Sequence, residues 1–162
     1  MGADLGRRAF AGVTLLAAGL AGGTGPAQSD EGADYQVVPT PHPFSELEAR
    51  LKAAIERAGM LLVTRASASD GARMRQVTIR GDAVYGIFRN DFAVRLLQAN
   101  VNAGIEAPIR LHLTEEPDGT TSIRYWLPST VFARYEGDEI VALGQELDPI
   151  FAAIVADTAG PT

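Results

Sequence analysis

The stretch IRLHLTEEPDGTTSIRYWL, from Ile109 to Leu127, decides how this chain is read. Ile109, Leu111 and Leu113 alternate with Arg110, His112 and Thr114; Pro117-Asp118-Gly119 turns the chain; Ile123, Tyr125 and Leu127 then alternate with Arg124 and Trp126. A period of two sends successive side chains to opposite faces of a strand, and a short turn of this composition joins two such strands into a hairpin. One face of the hairpin is apolar, while the other carries Arg110, His112, Arg124 and Trp126. An antiparallel sheet with a core side and a polar side follows.

On the C-terminal side, Ile140, Leu143, Leu147, Ile150, Phe151, Ile154 and Val155 recur at helical spacing. Asp148-Pro149 reads there as an N-cap and a first helical position, so a break is expected. Ser129, after Pro128, reads as a cap before Val131-Phe132. On the N-terminal side, residues 91–98 read as a helix with Phe92, Val94, Leu96 and Leu97 as its apolar members and Asn90 as its cap. Residues 76–80 and 83–89 read as two strands around a Gly81-Asp82 hairpin turn. Met60 to Thr64 is a continuous apolar run between Gly59 and the polar Ser67-Ala68-Ser69-Asp70-Gly71, the pattern of a buried strand. Residues 46–58 carry Leu47, Leu51, Ala54, Ile55 and Ala58 on one helical face, with Ser45 and Glu48 as a capping box and Gly59 as the stop. Tyr35 to Val38 reads as a short strand ended by Pro39, Pro41 and Pro43. The order strand, helix, strand, hairpin, helix, hairpin, helix predicts an α+β fold: a mainly antiparallel sheet with helices packed on one face, a two-layer sandwich. Two of the connections are too short for the crossovers that a parallel sheet needs.

The chain has 162 residues, the length of one ordinary domain, and 46% hydrophobic residues, enough to bury a core. Residues 1–27 read as a signal peptide: Arg7 and Arg8, an apolar stretch from Ala9 to Leu20, then small residues to Ala27, where cleavage is expected. Gly12, Gly19, Gly22 and Gly23 interrupt that stretch, which is too short for a stable membrane anchor. Gly6-Arg7-Arg8-Ala9-Phe10 resembles the twin-arginine export signature. Residues 28–34 read as a flexible leader and residues 35–159 as the single folded domain, in the periplasm or secreted. The formal charge is -6, and removing Asp4, Arg7 and Arg8 takes away a net +1, leaving -7. That sign opposes binding to nucleic-acid phosphates and anionic lipid surfaces. The absence of cysteine removes disulfides, thiolate metal sites and thiol nucleophiles.

From about Phe44 to Ala159 the chain resembles domain of unknown function family 302 of small bacterial and archaeal proteins. The resemblance rests on the helix from Ser45 to Gly59, the strand ending Ile87-Phe88-Arg89-Asn90-Asp91, the Ala107-Pro108-Ile109-Arg110 entry, Asp118-Gly119 and the exit from Tyr125 to Pro128. Where a familiar form of the family has F-G-N-P, this chain has Phe88-Arg89-Asn90-Asp91, two charged residues in place of glycine and proline. The resemblance implies a small α+β domain, often a homodimer, with no settled activity; it supplies no catalytic residues.

The densest polar patch comprises Arg89, Asp91, Arg95, Glu106 and Arg110. Asp91 and Arg95 stand four apart on the expected helix and can pair, so a structural ion-pair network is the plain reading. Arg110 is expected near Arg89 and Arg95, with Glu106 or Asp91 as its partner. The sharper reading leaves one guanidinium fork free for a small carboxylate- or phosphate-bearing ligand; a dimer contact is the third. His112 lies on the polar side of its strand beside Arg110, Arg124 and Trp126, and His42 in Pro41-His42-Pro43 could present an imidazole to a metal or haem iron. No HExxH, phosphate loop or G-x-S-x-G elbow is present. Glu115-Glu116 and Asp138-Glu139 read as solvated charge beside turns or helix starts. The sequence thus predicts an exported binding or accessory domain of unspecified ligand and cofactor. Its rivals are an enzyme or cofactor carrier built on His42 or His112, and a protein-interaction module without a small ligand.

Overall fold

The computed structural model describes residues 35–161; the expected signal peptide and leader lie outside them. Five strands form one sheet in the order β1 (Tyr35–Thr40), β5 (Thr121–Trp126), β4 (Ile109–Glu115), β3 (Asp82–Phe88), β2 (Leu61–Ser67), and every neighbouring pair is antiparallel. Helices α1 (Phe44–Arg57), α3 (Asn90–Ala99), α4 (Pro128–Phe132) and α5 (Asp138–Ala159) pack over one face, giving the expected α+β architecture. Short α2 (Ala68–Met74) follows β2, and a 3-10 segment (Val101–Glu106) follows α3.

The 109–127 hairpin forms as its alternation dictates. Ile109, Leu111, Leu113, Ile123 and Tyr125 are buried against Leu47, Leu51 and Ile55 of α1 and Leu143, Leu147 and Phe151 of α5. Arg110, His112, Arg124 and Trp126 alternate with them on the face that no helix among the described residues covers.

Several local expectations are corrected. The apolar run after Gly59 opens β2, but β2 is an edge strand, with Leu61 51% and Val63 47% exposed. Residues 68–74 form a helix rather than a polar loop, because the Ser67 hydroxyl accepts from the Asp70 N–H and caps it. Residues 76–80 join no strand, so β3 pairs with β2 and not with them. Pro39 does not end β1; it pairs opposite Ser122 on an edge strand, where a missing donor is tolerated. Ser45 makes no cap, Pro43 holding the N-cap position of α1, and Glu48 turns instead to Arg65 at 2.7 Å. Asn90 is the first residue of α3 rather than its cap, and Ser129 lies within α4. The expected stop is met: Gly59 takes φ +67°, and the Met60 N–H bonds back to the Ile55 carbonyl at 3.0 Å.

No break occurs at Asp148-Pro149, and α5 runs unbroken through Pro149. The Asp148 carboxylate accepts the Ser129 N–H at 2.9 Å, tying α4 down instead of capping a helix of its own. Gly144 makes this crossing close: a Cβ there would lie 2.7 Å from the Ser129 Cα.

Candidate functional site

The uncovered face of the sheet is organised in rows across the strands. In one row Val37 of β1 stands opposite Arg124 of β5, which faces His112 of β4, which faces Val84 of β3. Beside it, Tyr35 faces Trp126 and Arg110 faces Gly86. Directly opposed residues have Cβ atoms about 5 Å apart, so these side chains share one patch. Tyr35, Val84, Arg110, His112, Arg124 and Trp126 line an open depression of about 290 Å³.

Two of the three basic groups on this patch are already matched. Arg124 donates to Glu116 at 2.6 Å and to the Thr114 hydroxyl, and the guanidinium beside Glu116 holds that carboxyl below the usual range. His112 Nε2 lies 3.0 Å from Asp82 Oδ2. Arg110 is exposed, and no carboxylate among the described residues pairs with it. Trp126 is 46% exposed, with the Tyr35 ring tilted against it at 5.2 Å.

The other expected site residues belong to the helix layer and are satisfied there. Arg89 forms a two-pronged pair with Asp91 at 2.7 and 3.0 Å and lies 4.0 Å above the Phe92 ring. The Asp91 carboxyl is lowered by that guanidinium. Arg95 does not pair with Asp91: it reaches Glu139 at 2.9 Å and Glu146 at 2.7 Å, which raise it further above its ordinary range. Glu106 accepts from the Tyr135 hydroxyl at 2.8 Å and lies 3.9 Å from Arg134, so neither it nor Asp91 partners Arg110. A hollow beside Arg89 measures about 30 Å³, room for roughly one water. Arg110 and His112 therefore stay together, Arg89, Asp91, Arg95 and Glu106 fall away, and Arg124 and Trp126 join.

His42 is no free imidazole. It is buried, with Nε2 2.9 Å from the Gly160 carbonyl and Nδ1 3.1 Å from Glu46, while Arg50 donates to the carbonyls of Thr158 and Gly160 at 2.9 and 2.5 Å. These groups fasten the end of α5 to the start of α1. Among the described residues no group of three or more His, Cys, Asp or Glu could hold a metal ion, and no helix is long and apolar enough to cross a membrane.

No curated protein matches the chain. Among solved structures it resembles the crystal structure of an uncharacterized conserved protein DUF302 from Bacillus stearothermophilus, with a TM-score of 0.69, 17% identity, and coverage of 78% of this chain and 98% of that one. At that identity the likeness speaks for the fold. The model of the family described as domain of unknown function DUF302 matches residues 36–154, most of the folded region, and on that match the chain belongs to the DUF302 family.

Proposed function

We propose that the protein is an exported, non-enzymatic binding domain that holds a small anionic ligand on the open face of its sheet, with Arg110 as the anchor. The observation that carries this reading is the contrast on that face: Arg124 and His112 each have a carboxylate partner, and Arg110 has none among the described residues. A guanidinium fork standing ready beside an aromatic wall suits a planar acid group better than it suits further packing. Charge-assisted hydrogen bonds of this kind contribute about 1.5 to 3 kcal/mol, so Arg110→Ala should weaken binding by about ten-fold or more. The test is calorimetric titration of wild type and Arg110→Ala with benzoate, acetate, sulfate and phosphate, alongside retention of anionic compounds from periplasmic extract. Absence of binding by any of them, or equal binding by the variant, would overturn the assignment.

A second reading, catalysis, is favoured by the His112–Asp82 contact, since a carboxylate that orients an imidazole is a common arrangement for a general base. Mass spectrometry of the released ligand separates the two: a binding domain returns it unchanged, and a catalyst converts it unless His112 is replaced by Ala.

Export and self-association complete the proposal. Export rests on the Arg7-Arg8 signal pattern, and changing both residues to Lys should stop it if the twin-arginine route is used. Association of two copies rests on α3 and the 3-10 segment, where Val94, Leu97, Val101 and Ile105 are exposed and residues 96–105 carry no charge. Across such a surface an acidic chain meets its own copy without like-charge repulsion. Light scattering should report a dimer that Ile105→Asp dissociates.

A further inference from the structure

We infer that the ligand of the open face is a planar aromatic monocarboxylate, its ring stacked on Trp126 and its carboxylate on the Arg110 fork; this rests on the reading of that face as an anion site. Charge sets the first half. Arg124 is matched by Glu116, and Arg110 is the guanidinium of the patch with no carboxylate partner among the described residues. A monoanion balances it; a phosphate dianion would bring a second negative charge close to Asp82 and Glu116 with nothing left to meet it.

Shape sets the second half. Trp126 is a large apolar surface left 46% exposed in the same depression as the Arg110 guanidinium. Tyr35 braces the indole at an interplanar angle of 50°, a tilted contact and not a flat stack. A ring laid on the indole gains offset stacking, and because Arg110 and Trp126 line the same depression, a carboxylate on that ring falls within reach of the fork. Val84 and Val37 give the rest of the patch an apolar character that a purely ionic ligand would not use. The depression, about 290 Å³ and open to one side, accommodates a single-ring acid rather than an enclosed cofactor.

Trp126 is the only tryptophan of the chain, so its fluorescence reports on this site directly. The probes are benzoate, cyclohexanecarboxylate, which keeps the charge and size but lacks the π face, and inorganic phosphate. Benzoate should quench Trp126 and bind about ten-fold more tightly than cyclohexanecarboxylate, consistent with the worth of one aromatic contact, and phosphate should not compete. By calorimetry, Trp126→Leu should lose the benzoate advantage while still binding cyclohexanecarboxylate, and Trp126→Phe should keep most of it. Retained cyclohexanecarboxylate binding shows that the Leu variant is folded. Equal affinities of wild type for the two carboxylates would overturn the aromatic assignment and leave the anion site standing. Phosphate binding more tightly than benzoate would overturn the monoanion. Failure of all three anions to bind would remove the anion site itself.

Discussion

Arg65 donates to Glu48, to Asp70 and to the hydroxyl of the fully buried Tyr85, whereas Arg110, two strands further into the sheet but on the opposite face, touches no carboxylate among the described residues. The same side chain is structural in one place and available in the other. Replacing Arg65 by Ala leaves Glu48, itself only 17% exposed, with the Tyr85 hydroxyl as its remaining partner, and should lower stability by about 1 to 3 kcal/mol. Arg110→Ala removes a side chain that pairs with no carboxylate among the described residues and should change stability by under about 0.5 kcal/mol. Urea denaturation of both variants checks this pair, and an equal loss would show Arg110 to be structural. Arg110, His112, Arg124 and Trp126 could be brought together from sequence because strand alternation and a short turn fix their register locally. The fate of Arg95 could not be read that way, since its partners Glu139 and Glu146 lie 44 and 51 residues away and meet it only through the packing of α3 on α5.

At the level of elements, α5 decides how tightly the helix layer closes. Gly144→Ala should raise intrinsic helix propensity by about 1 kcal/mol, yet its Cβ would sit 2.7 Å from the Ser129 Cα, backbone that cannot swing aside. Overpacking of this kind costs about 1 to 3 kcal/mol, so the net effect should be a loss. Pro149→Ala should act in the opposite direction: Pro149 is exposed inside a continuous helix, and the substitution restores an N–H where proline costs about 3 kcal/mol, less up to about 1 kcal/mol of chain stiffness in the unfolded state. A gain of about 2 kcal/mol is expected. Thermal melting of the two variants tests both signs. The hairpin, α1, α3 and the apolar stripe of α5 were legible because periodicity is written in local sequence. The unbroken course of α5 was not, because Asp148 is recruited by Ser129 of another helix and burial of Leu147 and Phe151 on either side of Pro149 outweighs its preference for a helix start. Nor was the edge position of β2, since an apolar run does not say how many neighbours a strand will have.

For the whole molecule, the ion pairs and buried hydroxyls set opposite limits on stability as pH changes. Asp70 is lowered chiefly by its bond from Arg65, Asp91 by Arg89, Glu116 by Arg124 and Asp118 by the Thr120 hydroxyl. Carboxyls held below their unfolded values stabilise the folded chain fully above about pH 4, and that contribution is lost as pH falls through the folded values. Tyr85 is raised by burial and then by Glu48, Tyr125 by burial and then by Asp148, and Tyr135 by its bond to Glu106. For these the sign reverses: a phenol held protonated in the fold but free to ionise in the unfolded chain stabilises fully below about pH 10 and progressively less above it. Tm should therefore fall on both sides, from about pH 4 downward and from about pH 10 upward. Tyr85→Phe discriminates between this account and a general effect of charge, because it removes the phenol but neither Arg65, which lies 2.7 Å from Glu48, nor any of the lowered carboxyls. Circular-dichroism melts from pH 3 to 12 should show the acid limb unchanged in Tyr85→Phe and the alkaline limb shallower than in wild type; an alkaline limb as steep as the wild-type one would mean that Tyr85 ionisation is not what limits the fold at high pH.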